Sequence, residues 1–296
     1  MTTMRVTQNM MAQRSLEGMY SGLGRLSKLQ EQVSSGKVLS RPSDSPADTT
    51  AAMRLRASLV EVGQQNRNIE DGQAWLARVD DTLQSAVLQT RHARELGLQG
   101  ANTGSMSPSA RDALATEIES LRESLLSVAN TTHLDRPVFG GLTPGKTAYD
   151  TSGGFVGIPG EVTRSVADGV KVRVDADARA VFGPDGANLF DNLQAMADAV
   201  RSGDAGAVRS GLDALDGNLD RLGVSLIDVG ARTSALDRAA VSAADRELSL
   251  KSSLSGIEDV DLPKALMDLK MAETSYQAAL ASTARVMAPS LLDFLR

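Results

Sequence analysis

Two narrow apolar seams, one near each end of the chain, constrain this sequence more than any other feature. Toward the C-terminus Leu262, Leu266, Leu269, Tyr276, Leu280 and Met287 recur at threes and fours, which marks one face of a helix. Asp261 precedes the series, and Leu262-Pro263 suits a helix start because a first-turn proline gives up only an N–H that has no intrahelical partner. At the other end Leu16, Met19, Leu23, Leu26 and Val33 keep heptad spacing, interrupted by Gln30. Stripes this thin fit a coiled-coil seam better than the broad face of a globular-domain helix. A helix that carries one is weakly stable until another helix lies against it. Gly18, Gly22 and Gly24 weaken the N-terminal segment further, each by about 1 kcal/mol relative to alanine. Periodicity alone equally admits an ordinary amphipathic surface helix.

Composition agrees with thin seams. Aromatic residues are only 3% of 296 residues, with a single Trp, too little for the aromatic-filled core usual in an enzyme of this length. The net charge of −6 speaks against nucleic-acid binding, which needs a basic face. Cysteine is absent, which removes disulfides, thiolate metal sites and cysteine nucleophiles. The first twenty residues lack the apolar core of a cleavable secretory signal. No run reaches the roughly 18 apolar residues of a membrane span, so no membrane partner is expected.

In chain order, Gly36 suits a left-handed helix end after Val33. Ser45-Pro46 then opens a long helix in which Leu55, Leu59, Val62, Ile69, Leu76, Val79, Leu83 and Val87 hold helical spacing, with fraying expected near Gly97, Gly100 and Gly104. Ser107-Pro108 opens a third helix through Leu114, Ile118, Leu121, Leu125 and Val128. Between Leu134 and Pro184 helical spacing stops, and Val170–Asp175 alternates apolar with polar as a half-buried strand does. Helix resumes at Asn188, and the longest seam runs through Val208, Leu212, Leu215, Leu219, Leu222, Leu226, Val229 and Leu236. The expected fold is therefore mainly α. A long antiparallel helical hairpin or bundle forms from the N- and C-terminal segments, with a small β-rich inserted domain. The expected parts are 1–40 with 258–296 as terminal coiled-coil segments, 41–133 with 188–257 as a helical core domain, and 134–187 as a variable β-rich outer domain.

Gly140-Gly141-Leu142-Thr143-Pro144-Gly145-Lys146-Thr147 matches the phosphate-binding pattern G-x-x-x-x-G-K-[ST] letter for letter. The chemistry also needs a buried strand before the loop and a helix opening after it, so that free N–H groups meet the phosphates. Charged, proline-broken sequence precedes this loop, and Ser152-Gly153-Gly154 follows it, so no nucleotide site is expected. His92 and His133 are far apart and lack metal-ligand spacing. Glu119 and Glu123 share a helix face without a third ligand, which is a solvated surface. No catalytic residue, metal site or cofactor is expected.

Several short motifs in order resemble one family. Ser34-Ser35-Gly36-Lys37 leading to Pro42-Ser43-Asp44-Ser45-Pro46-Ala47, followed by Asn66-Arg67-Asn68-Ile69, is similar to the N-terminal region of bacterial flagellins and their relatives. Phe139-Gly140-Gly141 resembles the stretch before the variable domain in the hook–filament junction branch. Val229-Gly230-Ala231-Arg232, Leu254–Asp261, Tyr276–Leu280 and the closing Ser290-Leu291-Leu292-Asp293-Phe294-Leu295 resemble the C-terminal half, the Asp-Phe pair favouring the junction branch over filament flagellin. The resemblance implies a non-enzymatic axial protein joining hook to filament. It would be secreted through the flagellar type III channel without a cleavable signal peptide. Implied partners are other copies of itself, the other hook-associated junction protein, filament flagellin, and an export chaperone at the C-terminal helix. With the seams, it makes Leu16, Met19, Leu23, Leu26, Val33, Leu262, Leu266, Leu269, Tyr276, Leu280, Met287, Leu291 and Phe294 the candidate self-assembly residues. Filament flagellin and a cytosolic coiled-coil adaptor are the competing readings.

Overall fold

The structure is a computed structural model that describes residues 8–101 and 106–287. Its elements in order are α1 (Gln8–Ser35), α2 (Pro46–Gly100), α3 (Pro108–Ala129), β1 (Thr132–His133), β2 (Arg136–Pro137), β3 (Thr163–Ala167), β4 (Val170–Arg173), α4 (Ala178–Phe182), α5 (Leu189–Ser202), α6 (Ala205–Glu258) and α7 (Leu262–Met287). Helix dominates, as the seams require. The chain forms two compact units, one from its two ends up to Val60 and from Glu247, the other from Glu61–Arg246.

In the Glu61–Arg246 unit, α2 and α6 run antiparallel, since Gln73 meets Asp237 and Arg94 meets Asp216. The inner face of α2 follows one heptad register through Val62, Ile69, Gly72, Leu76, Val79, Leu83, Ala86, Thr90, Ala93, Gly97 and Gly100, all buried. The helix ends at Gly100, within the stretch where the sequence predicts it to give out, and Gly97 and Gly100 have a second role there. Both glycines are tightly approached seam positions: a Cβ on Gly97 would stand 3.0 Å from the tip of Met196, and one on Gly100 2.7 Å from Val200. Glycine here admits a neighbouring helix close to the end of its own, and at Gly97 the close packing offsets its low helix propensity. Gly104 lies outside the described residues.

Helices α3 and α5 pack antiparallel, fixed by Arg201 on Asp112 and Glu119 and by Arg122 on the Phe190 carbonyl. Their caps are legible in the sequence. The Ser107 hydroxyl accepts the Ala110 N–H with Pro108 in the first turn, and Asn188 with Asp191 forms a capping box. Between them the chain carries two separate two-stranded antiparallel sheets, β1–β2 and β3–β4. The β1–β2 turn puts Leu134 and Asp135 at positive φ, the left-handed geometry a two-residue hairpin needs. The few aromatics are concentrated here. Phe139, Tyr149, Phe182 and Phe190 are buried with ring centroids 5.0–5.5 Å apart, Phe155 meets the Tyr149 ring edge, and Trp75 packs on His133 at 5.3 Å.

Candidate assembly surface

The unit built from the two chain ends rests on α1 against α7. They are antiparallel: Lys37 lies beside Asp259, and Tyr276 comes within 3.5 Å of where a Gly22 side chain would start. Among the described residues, those turned into this pair on α1 are Ser15, Met19, Gly22, Leu26, Leu29 and Val33, all half-buried. Those on α7 are Ala265, Leu269, Ala272, Tyr276, Ala279 and Thr283, of which Ala265 and Thr283 are buried. Both sets alternate by threes and fours, which is coiled-coil packing. Small residues leave an open groove of about 590 Å³ between the helices, bordered by Gly18, Arg25, Asp268 and Met271.

The candidate residues read from the sequence divide between two faces. Met19, Leu26, Val33, Leu269 and Tyr276 lie in the α1–α7 seam. Leu16, Leu23, Leu262, Leu266 and Leu280 point outward, 37%, 45%, 47%, 52% and 41% exposed. Leu291, Phe294 and the Met287 side chain lie outside the described residues. Sequence reading also missed members of both faces: the alanines 265, 272 and 279 in the seam, and Tyr20, Met267 and Met271 on the outer surface. Apolar periodicity finds the largest side chains, whereas close helix pairing selects small ones; heptad spacing of alanine was the available signal.

Four helix ends meet where the turn after α1 passes the turn before α7. Gly36, at φ +70°, ends α1 and frees the chain to form a short antiparallel bridge. The Val38 N–H donates to the Glu258 carbonyl at 2.7 Å and the Val260 N–H to the Gly36 carbonyl at 3.0 Å. Lys37 Nζ donates to Asp259 Oδ1 at 2.8 Å and Glu258 Oε2 at 3.2 Å, while Arg56 reaches Glu258 Oε1 at 2.8 Å. The Asp259 carboxylate, with smaller help from Glu258, raises the Lys37 pKa above the ordinary lysine value; Lys37 and then Ser255 hold Asp259 below the ordinary aspartate value. Nearby, Lys28 and the Arg41 and Ser40 amides hold Asp44 low as it braces the turn.

The other chemical candidates are occupied locally. In Gly140–Thr147 no helix opens; Thr143 Oγ1 donates to the Gly140 carbonyl and accepts from the Ile158 N–H, and Lys146 pairs with Asp135. A phosphate cradle needs the helix N-terminus that this loop lacks. His92 lies between Glu95 and Glu117, His133 faces Trp75 and Asp71, and Glu119 is held below its ordinary pKa by Arg201. Among the described residues there is no group of three potential metal ligands, and no helix is long and apolar enough to cross a membrane.

Comparison with known proteins joins these features. Residues 6–136 match the bacterial flagellin N-terminal helical region. The flagellar hook-associated protein 3 of Salmonella typhimurium is 24% identical, over 99% of this chain and all of that protein. Its counterpart in Escherichia coli is 28% identical, over 86% of this chain and 77% of that protein. In fold, the crystal structure of Bacillus cereus FlgL is similar, with a TM-score of 0.60 at 21% identity, covering 68% of this chain and 99% of that one.

Proposed function

We propose that this chain, a flagellin-like axial protein of the hook-associated protein 3 kind, is a structural subunit of the bacterial flagellum that forms the hook–filament junction by polymerisation of its paired terminal helices. The observation that carries this reading is the division of α1 and α7 into two faces. One face closes each helix on the other, and the second leaves Leu16, Tyr20, Leu23, Leu262, Leu266 and Leu280 in water. Apolar surface gains roughly 25 cal/mol per Å² when covered, so two adjoining helices with outward apolar residues favour association with further helices. Polymerisation supplies these from neighbouring subunits.

In this reading 1–40 with 258–296 form the inner wall of a tube. The helical part 41–133 with 188–257 surrounds it, and 134–187 lies outermost. The neighbours are further copies, the other hook-associated junction protein on the hook side and flagellin on the filament side. An export chaperone holds the C-terminal helix before assembly, and the chain leaves the cell through the flagellar channel without signal cleavage. The role is structural and assigns no catalytic step.

Deletion of the gene tests it. The expected result is loss of swimming, with hooks intact and flagellin released into the medium. Normal motility contradicts it. Long filaments composed of this protein alone would instead assign the flagellin role.

A further inference from the structure

We propose that Glu258 is a positioning residue for assembly: with Lys37 and Arg56 it forms an ionic latch that sets the α1–α7 pair in the register that polymerises. The inference rests on the assembly role proposed above and adds the element that controls it. Glu258 is the last residue of α6, and its side chain is only 4% exposed. A carboxylate at that end faces the negative pole of the helix dipole, and burial raises the cost further. Such a group persists only where cations compensate it. Here they come from two other parts of the chain: Lys37 from the turn after α1, and Arg56 from the third turn of α2.

The backbone of the same residue is also engaged, because its carbonyl accepts the Val38 N–H. Glu258 thus ties the end of α6 to the α1–α2 turn twice and to α2 once. The bridge that follows, Lys37 opposite Asp259, fixes which residues of α1 lie opposite which residues of α7. Because the α1–α7 seam is half-buried and rich in small residues, it specifies register weakly by itself. Slippage there would move Leu16, Leu23, Leu266 and Leu280 off a common outer surface. The latch supplies the register that the seam lacks.

Glu258→Gln keeps the size and removes the charge. Lys37 retains Asp259 and Arg56 retains solvent, so the variant strands no buried cation. Three readouts on the full-length chain separate positioning from general stability: hydrogen exchange at the Val38 and Val260 amides, unfolding of the Glu61–Arg246 unit followed by its Trp75, and restoration of motility in the deletion strain. The latch predicts exchange faster by about tenfold at both amides, in line with the loss of a charge-assisted pair. It also predicts an unchanged Trp75 transition and impaired motility. Lys37→Met should give the same direction of change, and combining the two should add less than their separate effects. Exchange within twofold of the parent, or full motility with accelerated exchange, overturns the proposal. If the parent gene itself is dispensable for motility, the assembly role fails, while exchange still decides whether the latch exists.

Discussion

Gly18 and Gly24 of α1 face open space, with no atom within 4 Å of where a Cβ would stand, so their presence is not explained by packing. They lower helix stability without a local benefit, which fits a terminus that orders late. Replacing both by alanine should stabilise α1 by about 1 kcal/mol each and slow its amide exchange in the isolated chain; unchanged exchange would contradict the account of that helix. At the latch, pH sensitivity follows from the direction of each shift. Asp259 is held low, so its contribution is present above the ordinary aspartate value and is lost as pH falls through the folded value. Lys37 is raised, so its contribution is full below the ordinary lysine value and is lost as pH rises through the folded one. Protection of Val38 and Val260, corrected for intrinsic exchange rate, should therefore stay level between about pH 5 and 9 and decline outside that window. A step near neutral pH would assign control to another group.

At the scale of the element, the proposed function gives α7 two different jobs on adjacent faces, pairing with α1 and contact with neighbouring subunits. Leu266→Ser with Leu280→Ser should leave the α1–α7 pairing in the isolated chain nearly unchanged, because both side chains already face water, yet should abolish assembly as judged by motility and sedimentation. Ala272→Leu should do the opposite first, pushing the helices apart in a seam built for small residues. Equal behaviour of the two variants would remove the two-face description. Helices α2, α3, α5 and α6 were legible in the sequence because capping residues and long heptads agree: Ser107-Pro108, Asn188 with Asp191, and the Val208–Leu236 seam each end up doing what their chemistry suggests. The faces of α1 and α7 were less legible. Their large residues belong to one periodic series in sequence, yet Leu269 and Tyr276 turn inward while Leu262 and Leu266 turn outward. Gly97 and Gly100 were half legible for a related reason: the helix does end at Gly100, but only the approach of Met196 and Val200 reveals the two glycines as contact points.

At the scale of the whole molecule, burial is uneven. All of the largest fully buried side chains among the described residues, from Trp75 to Leu193, belong to the Glu61–Arg246 unit. That unit has a fully buried core, and truncating it should be costly: Phe182→Ala removes a ring packed on Phe139, Tyr149 and Phe190, with an expected loss of roughly 3–5 kcal/mol. Denaturant unfolding followed by Trp75 measures it; a loss below about 1 kcal/mol would mean the cluster is loosely packed. Among its described residues, the unit made of the chain ends has no comparable core, only a half-buried seam and the ion pairs of Glu258 with Lys37 and Arg56.

The central claim is that α1 and α7 are weakly held in the single subunit and become firm when copies join. Amide exchange across the purified chain, and again after incorporation into flagella, tests this most directly. The account predicts fast exchange around Leu23 and Leu280 and slow exchange around Leu76 and Leu222 in the isolated subunit, with the first pair becoming slow on incorporation. Equal protection of all four regions before assembly would contradict it.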